Sequence, residues 1–275
     1  MLNNNTIAIY VILDDILQQI GHQEDKQRRV NDSMILTTVL ISAWYFGGNW
    51  NSAIAYMRSH HCKEMLGKSR FCRRVHQIEA LGSWCFRLLA WTNQTMNTRQ
   101  HYILDTFPVA VCHNIRISRS RLLQGEDFRG YNASKREYFY GFKVALLVDE
   151  AGNPIELAIY PGAYSEHSAL HRMDFDLPQG SIVWQDSGFT DYEWEDFYLA
   201  EEGIEFATQR KKGSLRGDSW QDEIAKKQHR KRVEITFSEI TTRFPKRIHA
   251  VTIEGFQIKV FLVIFAYMLI KFLQN

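Results

Sequence analysis

The chain has 275 residues, 45% of them hydrophobic and 23% charged, a composition typical of a soluble protein with room for about two domains. Its 33 Lys and Arg nearly balance its 31 Asp and Glu, so the formal charge of +2 excludes a strongly basic or acidic chain but conceals local basic clusters. The four cysteines form no CxxC pair and no dense framework, which argues against a disulfide-rich secreted protein.

The apolar segments give no sign of export or membrane insertion. Asp14 and Asp15 interrupt the apolar pattern near the N-terminus, and no basic segment precedes it, so no signal peptide is predicted. Lys259 and Lys271 bracket only eleven apolar residues, against the roughly 20 that a spanning helix needs. We expect a buried core helix here, and a cytoplasmic protein that does not contact membranes.

Helical periodicity dominates the first hundred residues. Helices are predicted over residues 7–20, over 32–46, from about residue 51, and from Ser69 onward with Phe71, Val75 and Ile78 on one face. The composition turns polar between Thr92 and Thr98. Residues 1–98 are therefore predicted to form an all-α domain, and residues 99–275 a second domain.

The fourth predicted helix has a basic face formed by Arg70, Arg73, Arg74 and Gln77. Short helices ending in one with a basic, hydrogen-bonding face are typical of helix-turn-helix proteins that bind DNA. The alternative is a solvated basic face without a partner.

The periodicity changes to short β-type runs from Tyr102 onward. Strands are predicted over 102–111, 138–148, 155–160, 180–185 and 204–208, with helices over 166–175, 191–202, 221–243 and 255–272. Glu150–Asn153 has the composition of a hairpin turn, so the second and third strands should be antiparallel neighbours. This order of elements is typical of a ribonuclease H-like fold, with a mixed five-stranded sheet flanked by helices. It consists of three strands followed by helix, strand, helix, strand and helix.

Two aspartates occupy positions where such a sheet binds ligands. Asp105 lies among apolar residues in the first strand, where a charge is costly unless it is paired or binds a metal. Asp186 follows the fourth strand directly, at a carboxyl end, although it could instead cap a following helix. The first and fourth strands are neighbours in this fold, so the two carboxylates should meet and require a divalent cation.

A third acid is expected from the helix after the fifth strand. Glu234 adjoins the apolar face of that helix and follows Arg230 by four residues, so the two share one side. Glu239 is the rival, but it lacks the preceding arginine and faces another direction.

Several segments together resemble bacterial insertion-sequence DDE transposases, in particular the insertion sequence 982 family. They are Trp44–Asn49, Lys68–His76, Asp105–Arg119, Gly125–Tyr131, Tyr138–Lys143, Asp174–Ser181 before Asp186, and the Arg-x-x-x-Glu that ends at Glu234. The sequence departs from the family at Lys227 and Thr241, where relatives often carry tyrosine and lysine, so contacts to the DNA end are expected to differ.

The resemblance implies a catalytic triad of Asp105, Asp186 and Glu234 that holds two Mg²⁺ or Mn²⁺ ions. It implies a transposase that binds the double-stranded terminal inverted repeats of its element and joins them to target DNA, as a homodimer on paired ends in the bacterial cytoplasm. Two other functions stay open: a DNA-binding derivative that has lost catalysis, and a ribonuclease H-like nuclease without strand transfer.

Basic residues near the triad are expected to contact DNA phosphates. Residues 210–232 hold nine Lys and Arg against three acids, and a second basic group follows the first strand. The predicted DNA contacts outside the N-terminal domain are Arg116, Arg119, Lys211, Lys212, Arg216, Lys227, Arg230 and Lys231. Trp220 is either a base-stacking residue or a packing residue.

Two other groups of side chains could bind zinc. His167 and His171 have the i, i+4 spacing of a zinc pair, but the sequence shows no third ligand and no metalloprotease motif. His60, His61, Cys62 and Cys72 fit no usual zinc-finger spacing.

Overall fold

The computed structural model describes residues 1–112, 114–132, 136–245 and 247–274, without the side chains of residues 114–116, 221 and 230. Contacts divide the chain into two compact units, Met1–Leu89 with Ile240–Asn275, and Ala90–Glu239. We call them the helical unit and the sheet unit. The sequence-based domain boundary at residue 98 stays a prediction.

The helical unit contains α1 (Leu2–Gln19), α2 (Asp32–Tyr45), α3 (Trp50–His60), α4 (Lys68–Gln77), the first half of α5 (Glu79–Met96) and α9 (Ile253–Phe272). Side chains of Asn31, Asn49 and Thr252 accept hydrogen bonds from the first turns of α2, α3 and α9. The fourth helix ends earlier than the apolar pattern predicts, because the chain leaves helical geometry at Ile78 and α5 starts at Glu79. The sequence had not predicted α5 as a separate helix.

Helix α9 is the apolar core of the helical unit. It is long and apolar enough to cross a membrane by length and composition, with a mean hydropathy of 1.9, but 72% of its most apolar stretch is buried within the protein. Phe256, Phe265 and Ile264 have no exposed surface. The prediction of a buried core helix is confirmed, and the helix is longer than the eleven residues between Lys259 and Lys271.

The sheet unit is built on a mixed six-stranded sheet. Its strands are β1 (His101–Cys112), β2 (Arg129–Asn132), β3 (Glu137–Asp149), β4 (Pro154–Pro161), β5 (Ile182–Gln185) and β6 (Glu205–Thr208). The order is β2-β3-β1-β5-β6, and β4 also pairs with β3. β3 pairs antiparallel with β1, β2 and β4, whereas β1, β5 and β6 are parallel. The predicted ribonuclease H-like fold class is confirmed.

The sixth strand does not change the plan of the sheet. β2 pairs with residues 137–140 of β3, and β4 pairs with residues 142–148, so the two share one edge of β3. The predicted hairpin between β3 and β4 is present, closed by hydrogen bonds from the Asn153 backbone and side-chain amides to the Asp149 carboxylate.

The helices of the sheet unit are α6 (His167–Leu170), α7 (Tyr192–Glu201) and α8 (Trp220–Arg243), whose last turn belongs to the helical unit. The prediction of a helix over 166–175 was wrong, because α6 stops at Leu170. Phe175 has a φ of 48°, which a right-handed helix cannot contain. The backbone amides of Asp174 and Phe175 instead donate to the Glu156 carboxylate at 2.6 and 3.0 Å.

Candidate active site and nucleic-acid interface

Asp105 and Asp186 lie side by side at the carboxyl end of β5. The parallel pairing of β1 with β5 runs from His101 with Ile182 to Leu104 with Gln185, and the two aspartates are the next residues in that register. Parallel strands lie about 4.8 Å apart, and residues in register point to the same face. Both line a small cavity of about 20 Å³, room for about one water-sized group.

Each carboxylate is oriented by the residue that follows it. The backbone amides of Thr106 and Ser187 donate to Oδ1 of Asp105 and Asp186, both at 2.7 Å. Asp186 thereby caps the short 3-10 helix Ser187–Phe189, whereas Asp191 caps α7 through a 3.1 Å hydrogen bond from Trp194 N. The cap and the site interpretations of Asp186 are compatible, because the cap occupies one of its two oxygens.

Glu166 adds a third carboxylate that the sequence did not indicate. Its Oε1 accepts a 3.1 Å hydrogen bond from the Thr106 hydroxyl, one residue after Asp105. Its Oε2 lies 1.7 Å from the place where a Cβ on Gly188 would be, two residues after Asp186. Only glycine fits at position 188 with Glu166 in this position, so the side chain spans both strand ends. The 60 residues between Thr106 and Glu166 hide this contact from any local pattern.

Glu234 lies on α8 and is not among the described residues that line the cavity of the aspartate pair. The ring of His229 is 5.5 Å from that of His101, and the ring of Phe237 is 4.9 Å from that of Phe107. Glu234 lies between His229 and Phe237 on α8, and Asp105 lies between His101 and Phe107 on β1. From these two contacts we infer that Glu234 and Asp105 are at similar heights along the two elements. Val233 and Lys226 line the cavity instead, and the Glu234 side chain is exposed. The structure thus brings two of the three predicted acids together.

The basic segment between β6 and α8 divides into structural and exposed cations. Arg210, 8% exposed, forms a buried ion pair with Glu195, and Arg216 pairs with both oxygens of Asp196 at 2.8 and 2.6 Å. Lys226 donates to Asp218 at 2.6 Å and to the Thr208 carbonyl at 2.7 Å.

Other cations of this region are exposed to solvent. Lys211, Lys212 and Lys231 are exposed, as is Lys227, whose Nζ lies 3.5 Å from Glu223. Arg119 is also exposed, whereas the side chains of Arg116 and Arg230 lie outside the described residues. Trp220, 76% exposed at the start of α8, is not a packing residue.

Helix α4 presents fewer cations than its sequence indicates. Arg70 and Arg73 are exposed, but Arg74 is only 11% exposed. Its guanidinium lies 2.6 Å from the buried carboxylate of Asp32 and 3.3 Å from Glu24. Arg74 therefore does not share the exposed basic face predicted for it, because it neutralises a buried charge inside the helical unit.

A large basic cavity of about 970 Å³ lies in the helical unit. Its walls include the first residues of α3, α4 and α9, whose amide ends favour anions. The cationic or titratable side chains that line it are Lys68, His76, Arg247, His249 and Lys259. No Asp or Glu is among the described lining residues. Three separate segments form this cavity, so no local pattern could predict it.

Burial lowers the pKa of one lysine that lines this cavity. Lys259 lies with its Nζ 4.7 Å from the centre of the Trp50 ring. Desolvation is the main effect on this group and lowers the pKa of Lys259, while Cys72 acts in the opposite direction. An anion bound in the cavity would act in the same direction as Cys72 and favour the charged ammonium.

The two histidines that have the spacing of a zinc pair do have a third neighbour. Nε2 of His167 and of His171 lie 2.8 and 3.7 Å from Oδ2 of Asp191. The sequence showed no third ligand because Asp191 lies on another element. Among the described residues, no metal-capable group includes Cys62 or Cys72.

A ribonuclease H-like sheet with adjacent aspartates at its strand ends and exposed cations beside them defines a class of metal-dependent enzymes that act on nucleic acids. Residues 95–242, more than half of the chain, match the family model described as a transposase DDE domain. The chain belongs to this transposase family, whose members generally use divalent metal ions and act on DNA. No curated protein and no solved structure matches it. The insertion sequence 982 assignment and the bacterial origin stay predictions.

Proposed function

We propose that the protein is an insertion-sequence transposase, of the insertion sequence 982 type, that cleaves the ends of its element and joins them to target DNA. The observation that supports this most strongly is the register of Asp105 and Asp186 within a transposase DDE domain. The family match gives the class, and the register supports Asp105 and Asp186 as a pair of metal ligands.

The residues at the strand ends fit a divalent cation. Asp105 and Asp186 are hard oxygen donors, which suit Mg²⁺ or Mn²⁺ better than thiolates or imidazoles would. We assign the binding of two such ions to Asp105, Asp186 and Glu234. When bound, these ions supply Lewis acidity that activates the attacking hydroxyl and stabilises the leaving oxygen.

The side chains of the protein orient this reaction. The amides of Thr106 and Ser187 each hold one oxygen of the aspartate before them, which fixes the orientation of the two carboxylates. Glu166 fixes the strand ends through Thr106 and its fit against Gly188. No covalent protein intermediate is needed, because a water or a DNA 3′-OH can attack the phosphodiester directly.

DNA contacts are assigned to both units. In the sheet unit, Lys211, Lys212, Lys227 and Lys231 would contact phosphates, and Trp220 would stack on a base. In the helical unit, Arg70, Arg73 and the cationic cavity would hold the terminal repeat. We further propose a homodimer on paired ends, a cytoplasmic location and no membrane association, in line with the burial of α9.

Strand transfer tests this proposal. Wild-type protein is incubated with DNA that carries the terminal repeats flanking its own gene, a target plasmid and Mg²⁺. We expect cleaved ends joined to the target, and no product when the metal is chelated. End binding without any cleavage would favour the DNA-binding derivative, and hydrolysis without joined product would favour the nuclease.

A further inference from the structure

A second group of metal-ligating side chains lies in the sheet unit, at the start of β1, four residues before Asp105. Nδ1 of His101, at the start of β1, is 3.2 Å from Oε1 of Glu150 in the β3–β4 turn. Nδ1 of His229, on α8, is 4.0 Å from the same oxygen. All three ligand atoms lie within 4.8 Å of one another. Two imidazole nitrogens and one carboxylate oxygen thus converge from three elements.

The spacing of these atoms suits a small tetrahedral ion. Zinc bonds of about 2.0–2.1 Å to nitrogen and oxygen separate neighbouring ligand atoms by roughly 3.3 Å. The observed separations of 3.2 and 4.0 Å need little adjustment. Mixed imidazole and carboxylate ligands favour Zn²⁺ and similar transition metals over Mg²⁺, which prefers oxygen alone.

The three side chains are partly buried and held in place. Their exposed fractions are 28% for His101, 27% for Glu150 and 20% for His229. The ring of Trp184 stacks on that of His229 at 4.2 Å and 8°.

One ligand atom lacks a hydrogen bond. Nδ1 of His101 is buried and has no hydrogen-bond partner among the described residues. It lies 3.2 Å from Oε1 of Glu150, but the two atoms do not form a hydrogen bond. A metal ion bound between them would satisfy this atom. Arg99 contacts Oε2 of Glu150 at 3.6 Å and so leaves Oε1 to the histidines.

Two similar groups are less suited to bind an ion. His22, Glu24 and Asp32 are neutralised by Arg28 and Arg74, which lie 3.1 and 2.6 Å from Asp32. His167 and His171 are about half exposed, and Oδ1 of their neighbour Asp191 caps α7. Glu150 has a longer arginine contact, 3.6 Å from Arg99 to Oε2, and the three side chains of its group are less exposed than the His167 pair.

We propose that His101, Glu150 and His229 bind a transition-metal dication of the zinc class, at a site separate from the aspartate pair. This ion would join α8 to the start of β1 and to the β3–β4 turn. Arg232 already connects α8 to that turn, donating to the carbonyls of Glu150 and Ala151 at 2.9 and 2.6 Å. Since β1 carries Asp105 and α8 carries Glu234, the ion would hold the two elements of the proposed triad in register.

The test is a calorimetric titration of the full-length protein with Zn²⁺, in Mg²⁺ excess so that the oxygen site is occupied. Wild type should bind one Zn²⁺ that Glu150→Gln and His229→Gln weaken by at least about 100-fold, since each removes one of three ligands. His171→Asn, in the exposed histidine group, is the matched control and should bind Zn²⁺ like wild type. Zn²⁺ should raise the unfolding midpoint of wild type and control but not of Glu150→Gln.

Two results would overturn the proposal. One is equal Zn²⁺ affinity in wild type and Glu150→Gln, and the other is loss of the site in His171→Asn alone. If His229→Gln unfolds because it loses the Trp184 contact, Glu150→Gln alone decides, because it keeps the shape of a turn residue that packs on no ring among the described residues. These measurements do not depend on transposase activity.

Discussion

The carboxylates and the cations of the sheet unit are positioned by different means. Asp105 and Asp186 are fixed by the parallel register of β1 and β5 and by one backbone hydrogen bond each. The cations between β6 and α8 have no common register, and Arg210 and Arg216 are held in ion pairs while Lys211 and Lys212 are exposed. Strand register therefore locates the side chains of a site, whereas the number of charged residues in a segment does not.

Removal of one carboxylate at the strand ends should have the largest effect. Asp105→Asn and Asp186→Asn each keep the side-chain shape but remove a charged metal ligand, so cleavage should fall on the order of 1000-fold or more. Binding to terminal-repeat DNA should stay within a few fold of wild type. Single-turnover cleavage and gel shifts measure the two effects, and substantial cleavage by either variant would remove that residue from the site.

Arg74 and Arg73 separate structural from exposed cations in the helical unit. Arg74→Gln leaves the buried Asp32 with only His22 and Arg28, so it should lower the free energy of unfolding by about 2–3 kcal/mol. Arg73→Gln, at the preceding position of the same helix, should change the free energy of unfolding by less than about 0.5 kcal/mol and should weaken DNA binding instead. Urea unfolding of both variants checks this. Equal stability of the two would contradict the structural role of Arg74.

Gly188 tests whether the position of Asp186 depends on Glu166. A methyl group in Gly188→Ala would collide with the Glu166 carboxylate, so cleavage should fall by roughly 10- to 100-fold through displacement of the strand end. Gly217→Ala is the matched control, because a Cβ there meets no atom within 4 Å. The cleavage rates of the two variants are compared at saturating DNA. A Gly188→Ala variant as active as Gly217→Ala would contradict the role of Glu166.

The exposed lysines should have the smallest individual effects. Lys211→Ala with Lys212→Ala should leave the cleavage rate of bound DNA unchanged but weaken DNA binding. The slope of log affinity against log salt should fall by about one unit for each lost phosphate contact. Arg210→Ala, by contrast, leaves Glu195 buried without its cation and should destabilise the protein. A salt series of gel shifts resolves the difference, and an unchanged slope in the lysine variant would argue against phosphate contacts.

The sequence predicted those features that depend on local periodicity or on topology. Five of the six strands and the long helices other than α5 follow from alternating and helical apolar patterns, and the adjacency of Asp105 and Asp186 follows from the expected strand order. Glu166 could not be predicted in the same way, because its contacts with Thr106 and Gly188 join distant segments.

The exposure of individual side chains could not be predicted from the sequence either. Arg73 and Arg74 are adjacent in sequence, yet one is exposed and the other is directed to a buried carboxylate from another helix. The basic cavity of the helical unit is lined by three separate segments of the chain, and the early end of α6 is accompanied by hydrogen bonds from the Asp174 and Phe175 amides to Glu156. These features are tertiary, and neither charge counts nor periodicity encode them.

The most direct test of the account is a change in metal preference at the strand ends. Asp186→Cys replaces a hard oxygen ligand with a softer thiolate, so cleavage of terminal-repeat DNA should be lost with Mg²⁺ and partly recovered with Mn²⁺. Asp186→Ala should be inactive with both ions. Wild-type cleavage by Asp186→Cys with Mg²⁺ would show that Asp186 does not bind the catalytic metal, and would contradict the account.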